Sequence, residues 1–353
     1  MDPRFSPAQN AKGSIRNQSV DWMKLILSVF VVAIHAELPL GIFSPFLRTA
    51  VPLFFLVSGY FYFRKVRAAT TENTHTEILF RFWKRNMTLY AFWFVALLPI
   101  TLYVRGWFSE GFTADALLRF LQSFFFNSTF RVSWYIMALC IGMTLIHALS
   151  RRLGTKTLLA VTFPIYLLCC LFTNYFGAVS SNEAVMGIYH GYLSVFSSLV
   201  NSFPASLFWL ALANHLAAKP TLPERRRLFP VVFVGAALLV AEDLLVKHFR
   251  LQDVNDCYLS LLLICPAVFL LVLQTKTCAP SRLRPGATST VIYTTHASLI
   301  VLLSPILKRV LPTATLPFHL ALFACSLVLC IVLSRILFAL ENTRLLRFLR
   351  YSH

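Results

Sequence analysis

Long apolar runs constrain the fold of this sequence more than any other feature. Ten runs are close to the length that crosses about 30 Å of hydrocarbon as a helix. They cover residues 21–38, 47–63, 87–104, 133–149, 157–176, 192–213, 228–247, 258–274, 288–307 and 317–339. A further run at 117–126 is too short to span, and an interfacial or re-entrant helix is expected there. Because lipid cannot satisfy exposed backbone groups, the pattern predicts an all-α, polytopic membrane protein with about ten transmembrane helices.

The distribution of charge predicts the orientation of these helices. The chain is 58% hydrophobic and 13% charged, and its net charge is +18. Nucleic-acid binding is excluded, since the positive residues lie in short loops between apolar runs instead of on one face. Loops on one side of the predicted membrane carry 22 of the 32 Lys and Arg residues, and loops on the other side carry eight. Cytoplasmic loops are enriched in Lys and Arg, so both termini are expected to be cytoplasmic.

Three parts of the chain are expected. A cytoplasmic tail at 1–20 precedes a ten-helix membrane domain at 21–340, and a basic cytoplasmic tail follows at 341–353. The last part has the pattern of an amphipathic segment that lies on an anionic lipid leaflet. The sequence leaves the oligomeric state open.

A polar stripe runs along the first predicted span. Lys24 and His35 are eleven residues apart, which leaves them about 20° apart around a helix and about 16 Å apart along it. Asp21 and Ser28 fall within about 40° of the same line. Ionisable groups inside a membrane are costly and often functional. The alternatives are that Lys24 extends to the inner headgroups and that His35 is a hydrogen-bonded core residue.

Four further residues are expected near the outer ends of the spans. Arg48 starts the second span and is expected to meet Glu37, His35 or an anionic substrate, or else a lipid phosphate. Glu242 and Asp243 are adjacent, so they point about 100° apart and only one can face a given cavity. We favour Glu242, whose carboxylate could orient His35 or balance its charge.

Aromatic and small residues add to these candidates. Trp134 opens the fourth span from the outer side, where it contacts substrate or belongs to the aromatic belt of the membrane. Ser58 and Gly59 form a small pair that permits close helix approach. His296 lies one turn after Tyr293 in the ninth span, where a hydrogen bond within the helix is the alternative to a functional role.

Basic residues mark the inner side of the third span. Arg81, Lys84 and Arg85 lie in a predicted inner loop at 81–90 and share one face if that loop is helical. Such a face suits the phosphates of a nucleotide or of coenzyme A, with lipid anchoring as the alternative. The sequence contains no phosphate loop, nucleophile elbow or CxxC pair, and no metal is expected.

Several stretches resemble a known family. KLILSVFVVAIH, RTAVPLFFLVSGYFYF, RFWKRNMTLY, SWYIMALCIGM and IYTTHASLIV resemble, in that order, the acyltransferase-3 family of membrane proteins. AEDLLVKHFRLQDVNDCYLSLLL is similar to the branch with the membrane domains of vancomycin-resistance serine racemases. The short, domain-free architecture is similar to bacterial acetyltransferases that modify surface glycans. The resemblance implies ten helices and transfer of an acyl group, usually acetyl, from cytoplasmic acyl-CoA to an acceptor at the outer face.

The resemblance also implies residue roles. The first helix of the family has Arg, ten residues and then His; here Lys24 replaces the Arg and His35 matches. Lysine keeps the charge but lacks the two-pronged guanidinium. Arg48 and Ser58 match the second motif, and Arg81 and Arg85 fall where the family has its basic inner loop.

These observations favour an integral membrane O-acyltransferase in a bacterial inner membrane, with acetyl-CoA as donor and a cell-envelope glycan or lipid-linked sugar as acceptor. His35 is expected to act as general base, oriented by Glu242 or Glu37. Residues expected to contact the donor are Lys24, Ser58, Arg81, Lys84, Arg85 and His296. Residues expected to contact the acceptor are Glu37, Arg48 and Trp134. A covalent acyl-histidine and direct transfer both remain open.

Two other functions fit the sequence. Polar stripes and broken helices, such as NSFP at 201–204, also suit a transporter for a small polar solute such as an amino acid. A structural membrane subunit is the third interpretation.

Overall fold

The described part of the protein is entirely helical. The computed structural model describes residues 17–106, 111–130, 132–196, 198–275, 281–313, 315–343 and 346–353, and these contain no β-strand. The α-helices are α1 (Gln18–His35), α2 (Ala50–Ala68), α3 (Glu72–Ala96), α4 (Leu98–Arg105), α5 (Ala114–Phe126), α6 (Trp134–Ser150), α7 (Thr155–Leu171), α8 (Glu183–Phe196), α9 (Pro204–Ala217), α10 (Arg225–His248), α11 (Leu261–Leu273), α12 (Pro285–Leu307) and α13 (Leu316–Leu340). The all-α prediction is confirmed. Residues 1–16 of the predicted N-terminal tail and 344–345 of the predicted basic tail lie outside the described residues.

Several helices have the length and composition of membrane spans. Within the described ranges, five helical stretches qualify. They are α1, the stretch Gly41–Ala68 that includes α2, and the helices α10, α12 and α13. The bent pair of α3 and α4 adds a sixth if it is one span, and α6, α7 and α11 are apolar but shorter. The protein is therefore a multi-pass membrane protein by these features. The count of ten spans and the cytoplasmic termini stay predictions.

Two predicted spans are interrupted. The span at 87–104 contains a bend of 73° between α3 and α4, and Pro99 lies in the first turn of α4. The span at 192–213 is not one helix, since α8 ends at Phe196 and α9 begins at Pro204. Proline is favoured in the first turn of a helix and disfavoured in its interior. The prediction of one continuous helix is therefore wrong at both places. The short helix expected at 117–126 lies within α5.

Helices α1 and α12 pack against each other in parallel. The Ser289 hydroxyl of α12 donates a hydrogen bond to the Lys24 carbonyl of α1 at 2.7 Å. Further along both helices, the rings of His35 and His296 lie 5.1 Å apart. Two helices that cross a membrane in the same direction must be separated in the chain by an odd number of other spans. The first and ninth spans of the predicted topology meet this requirement.

Helix α2 packs closely against α9. A Cβ atom on Gly59 would lie 2.7 Å from the Cβ of Ala213 and 3.0 Å from a methyl of Leu210. Real Cβ atoms do not approach this closely, so only glycine permits the observed distance between the helices. The interpretation of Gly59 as a packing residue is confirmed.

The end of the chain packs against the helices. A short 3₁₀ turn at Arg347–Ser352 follows α13, and the Trp93 indole N–H of α3 donates to the Ser352 carbonyl at 2.9 Å. Arg284 pairs with Glu341, and its guanidinium lies 4.3 Å from the ring centre of Phe338. The tail thus contacts α3 and α13, while its expected contact with an anionic leaflet stays a prediction.

Replacing Gly59 by Ala should lower the thermal stability of the detergent-solubilised protein. Overpacking of a full interior costs about 1–3 kcal/mol. Gly187→Ala in α8 is the matched control, because nothing lies within 4 Å of its added Cβ. The control should leave the midpoint unchanged or raise it, since Gly in a helix costs about 0.5–1 kcal/mol relative to Ala. Equal midpoints for the two variants would contradict the packing argument.

Cysteine labelling tests the predicted orientation. Pro39, Thr313 and Pro220 are exposed positions in connections between helices. A membrane-impermeant maleimide should label Pro39→Cys and Thr313→Cys in intact cells, and Pro220→Cys only after permeabilisation. The reverse pattern would place both termini outside.

Candidate functional site

Two histidines meet at the end of α1. His35 is the last residue of α1 and is exposed, whereas His296 of α12 is fully buried. Their ring centres are 5.1 Å apart, and the rings are tilted by 42°. The Nδ1–H of His296 donates to the Ile292 carbonyl at 2.9 Å, the helix hydrogen bond foreseen as an alternative. In a neutral ring this leaves the lone pair on Nε2. His35 and His296 are called the histidine pair below.

A wall of aromatic rings extends from the histidine pair. The Tyr293 ring lies 6.2 Å from that of His296, and the Tyr135 ring lies 5.4 Å from that of Tyr293. The Tyr135 hydroxyl is 3.4 Å from the Ser58 hydroxyl. The structure therefore connects Ser58 to the histidine pair through two tyrosines that the sequence had not identified as a link.

A buried loop precedes α6. It consists of residues 128–130 and 132–133, all of them buried. The Tyr293 hydroxyl donates to the Val132 carbonyl at 2.7 Å. Tyr293 lies about 12 Å along α12 from its start, so the loop lies in the interior of the helix bundle. Trp134 begins α6 directly after this loop, as expected for the residue that opens the fourth span, and its position at the outer end of that span stays a prediction.

A third histidine holds the end of α1. The Nδ1–H of His319 in α13 donates to the Ala36 carbonyl at 3.0 Å. The last carbonyls of a helix lack partners within it, so this contact fixes the turn that carries His35. His319 was missed by the sequence analysis, because no local pattern relates it to a residue 283 positions away.

A polar cavity of about 270 Å³ lies beside the end of α1. Its polar lining includes Glu37, Arg48, Asp243, Lys247, Asn255 and Tyr258. Lys247 Nζ lies 2.6 Å from Asp243 Oδ2, and the Tyr258 hydroxyl donates to Asp243 Oδ1 at 2.6 Å. The cavity, called the polar cavity below, therefore offers hydrogen-bond donors and acceptors and charges of both signs.

Arg48 and Glu37 both line the polar cavity. The ion-pair partner of Arg48 is Asp256, which lies in the irregular segment between α10 and α11 and was not foreseen. Of the alternatives expected for Arg48, the structure brings it into one cavity with Glu37, and a contact with an anionic substrate stays a prediction.

Glu37 closes α1 in a left-handed conformation. Its φ angle is 52°, and the Leu38 amide donates to the Ala33 carbonyl at 3.0 Å. Glycine is the usual residue in this helix-ending turn because it has no Cβ. A glutamate here places an exposed carboxylate beside the polar cavity at a cost in backbone strain.

Glu242 does not line the polar cavity; its neighbour Asp243 does. The Glu242 carboxylate accepts hydrogen bonds from the amides of Leu259 and Ser260, at 2.6 and 2.8 Å, and from the Tyr175 hydroxyl at 2.6 Å. Those amides precede α11, where the first N–H groups of a helix need acceptors. The choice of Glu242 as the cavity-facing carboxylate is therefore wrong, because it caps another helix.

The basic residues of the inner side lie within α3. Arg81, Lys84 and Arg85 are exposed, so the segment predicted as a loop is helical and presents them on one face. Arg81 pairs with Glu77 one turn earlier. Lys24 is half-buried on α1, and its backbone carbonyl is the group that accepts the hydrogen bond from Ser289.

Removing the Glu242 carboxylate should destabilise the protein. Glu242→Ala leaves two backbone amides and a tyrosine hydroxyl without their acceptor, a cost of about 1–3 kcal/mol. The measurement is the thermal midpoint in detergent, with Glu183→Ala as control because Glu183 is exposed in the first turn of α8. A thermal midpoint equal to that of the control would contradict the role of Glu242 as the acceptor for the amides before α11.

Comparison with known proteins adds to the geometry. A family model described as an acyltransferase domain matches residues 17–335. A serine/alanine racemase of Enterococcus gallinarum is 24% identical over 296 residues, which cover 80% of this chain and 40% of that protein. An amino-acid racemase of Enterococcus faecalis is 25% identical over 330 residues, which cover 89% and 45%. The chain thus spans less than half the length of these curated relatives, and no solved structure matches significantly.

Proposed function

The chain belongs to the acyltransferase-3 family, whose model covers most of its length, and from this premise we propose that it is an O-acyltransferase of a bacterial inner membrane. The proposed donor is cytoplasmic acetyl-CoA, and the proposed acceptor is a hydroxyl of a cell-envelope glycan or lipid-linked sugar. The observation that carries the proposal is the histidine pair, which places an exposed imidazole at the end of a helix with a polar stripe.

His35 acts as the general base in this mechanism. It takes the proton of the acceptor hydroxyl while the hydroxyl oxygen attacks the thioester carbonyl. The new C–O bond forms as the C–S bond breaks, and the imidazolium returns the proton to the departing thiolate. His296 and His319 hold the ring and the helix end in place.

The donor contacts basic residues toward the start of α1 and on α3. Lys24 is about 16 Å from His35 along α1, a separation that suits an elongated donor with anionic groups at one end and a thioester at the other. The exposed face of Arg81, Lys84 and Arg85 offers further phosphate contacts. Ser58 and His296 lie at the two ends of the aromatic wall and are the further proposed donor contacts.

The acceptor enters from the polar cavity. Hydroxyl groups both donate and accept hydrogen bonds, and the cavity offers carboxylates at Glu37 and Asp243 beside cations at Arg48 and Lys247. Trp134 contributes an aromatic surface next to the wall. This arrangement supports a polyhydroxylated acceptor over an apolar one.

A transporter for a small amino acid is the second candidate. Both curated relatives are named as racemases of amino acids, and a cavity of about 270 Å³ with charges of both signs suits a small zwitterion. Uptake of labelled serine into proteoliposomes without any acyl-CoA would favour this candidate.

Replacing His35 by Ala should abolish acyl transfer. Membranes with the native protein, given radiolabelled acetyl-CoA and lipid-linked glycans, should label the glycan fraction. His35→Ala should reduce this rate by about 10²–10⁴-fold, the usual contribution of a general base. His248→Ala is the control, because His248 is exposed in the last turn of α10 and should leave the rate unchanged.

The outcomes separate the candidates. Full turnover by His35→Ala would exclude its role as base. If the folded native protein gives only background labelling and also takes up serine, the transporter function is favoured and the transferase function is rejected. Label retained on the native protein and lost with His35→Ala would indicate a covalent acyl-histidine.

A further inference from the structure

Arg105 ends α4 and reaches into the helix bundle. Its Nη2 donates to the Ser128 carbonyl at 2.6 Å and its Nε donates to the Thr129 carbonyl at 3.4 Å. The side chain is half-buried and borders a small pocket with Thr129 and Ser298. The charge pattern had placed this residue in an outer loop, but the structure shows it as a contact of the buried loop.

The buried loop needs such a contact. Buried backbone outside a helix must find partners for its polar groups inside the protein. The loop supplies some itself: the Thr129 amide donates to the Ser133 hydroxyl at 2.9 Å, and the Trp134 amide donates to the Ser128 hydroxyl at 3.3 Å. The carbonyls of Ser128 and Thr129 receive their hydrogen bonds from Arg105.

The same loop supports the histidine pair. Val132 accepts the hydroxyl hydrogen bond of Tyr293, and the Tyr293 ring contacts that of His296. The path from Arg105 to His35 therefore passes through Thr129 and its hydrogen bond with Ser133, then through the adjoining Val132 carbonyl, Tyr293 and His296.

We propose that Arg105 is a positioning residue for the histidine pair, acting through the buried loop and Tyr293. The proposal rests on the proposed transferase function for its kinetic consequence. Arginine is suited to this place because two donors of one guanidinium meet two successive carbonyls. A lysine ammonium is a single point of charge and cannot reproduce both contacts with the same geometry.

The kinetic experiment compares Arg105→Ala and Arg105→Lys with the native protein. Misplacing the histidine pair should lower kcat by about 10–100-fold in Arg105→Ala with little change in the KM for acetyl-CoA, because a small displacement of a catalytic group can cost this much. Arg105→Lys should fall between the two. Arg309→Ala is the matched control, an arginine after α12 whose side chain is exposed.

Chemical rescue sharpens the test. Methylguanidinium added to Arg105→Ala should restore part of kcat by occupying the space left beside the small pocket. It should not restore His35→Ala. A folded Arg105→Ala variant with native kcat would overturn the proposal. If that variant does not fold, Arg105→Lys decides: a lowered kcat supports the proposal and a native kcat overturns it.

A measurement of thermal stability tests the path from Arg105 to His35 independently of enzymatic activity. Tyr293→Phe removes the hydroxyl that binds Val132. Residues acting on one structural unit have non-additive effects on stability. The loss in thermal midpoint for the double variant Arg105→Ala/Tyr293→Phe should therefore be smaller than the summed losses of the single variants. Additive losses would overturn the path, whereas absent transferase activity with non-additive losses would reject only the proposed function.

Discussion

The parallel contact between α1 and α12 is the interaction on which the rest of the site depends. Lys24 meets Ser289 near one end of the contact and His35 meets His296 toward the other. The contact turns the polar stripe of α1 toward the bundle, where its groups find protein partners instead of lipid. Helix α13 completes this arrangement through His319, since the carbonyl at the end of α1 would otherwise lack a donor.

The end of α1 separates two chemically different regions. The histidine pair lies toward α12, whereas the polar cavity lies toward α10 and the segment before α11. The left-handed turn at Glu37 is the boundary between them. Under the proposed transferase function, the cavity holds the acceptor while His35, two residues before Glu37, removes its proton.

Much of the fold was predictable from the sequence, but the site was only partly so. Apolar length and helical period identify single helices, and they predicted the all-α fold and the stripe that carries Lys24 and His35. The helical period alone did not indicate which of Glu242 and Asp243 faces the cavity. The structure answers this, because the amides before α11 bind the Glu242 carboxylate. Asp256 lies 208 positions from its partner Arg48, and His319 lies further still from Ala36. Such partners are set by tertiary packing, which no local pattern encodes.

The contact of the tail with α3 has a consequence for biosynthesis. Trp93 and Ser352 are separated by 259 positions, so their hydrogen bond forms only after residue 352 has left the ribosome. Helix α3 and the bend that follows it are therefore inserted long before they acquire this support. Helix α3 therefore lacks this hydrogen bond while α4 to α13 are being made and inserted.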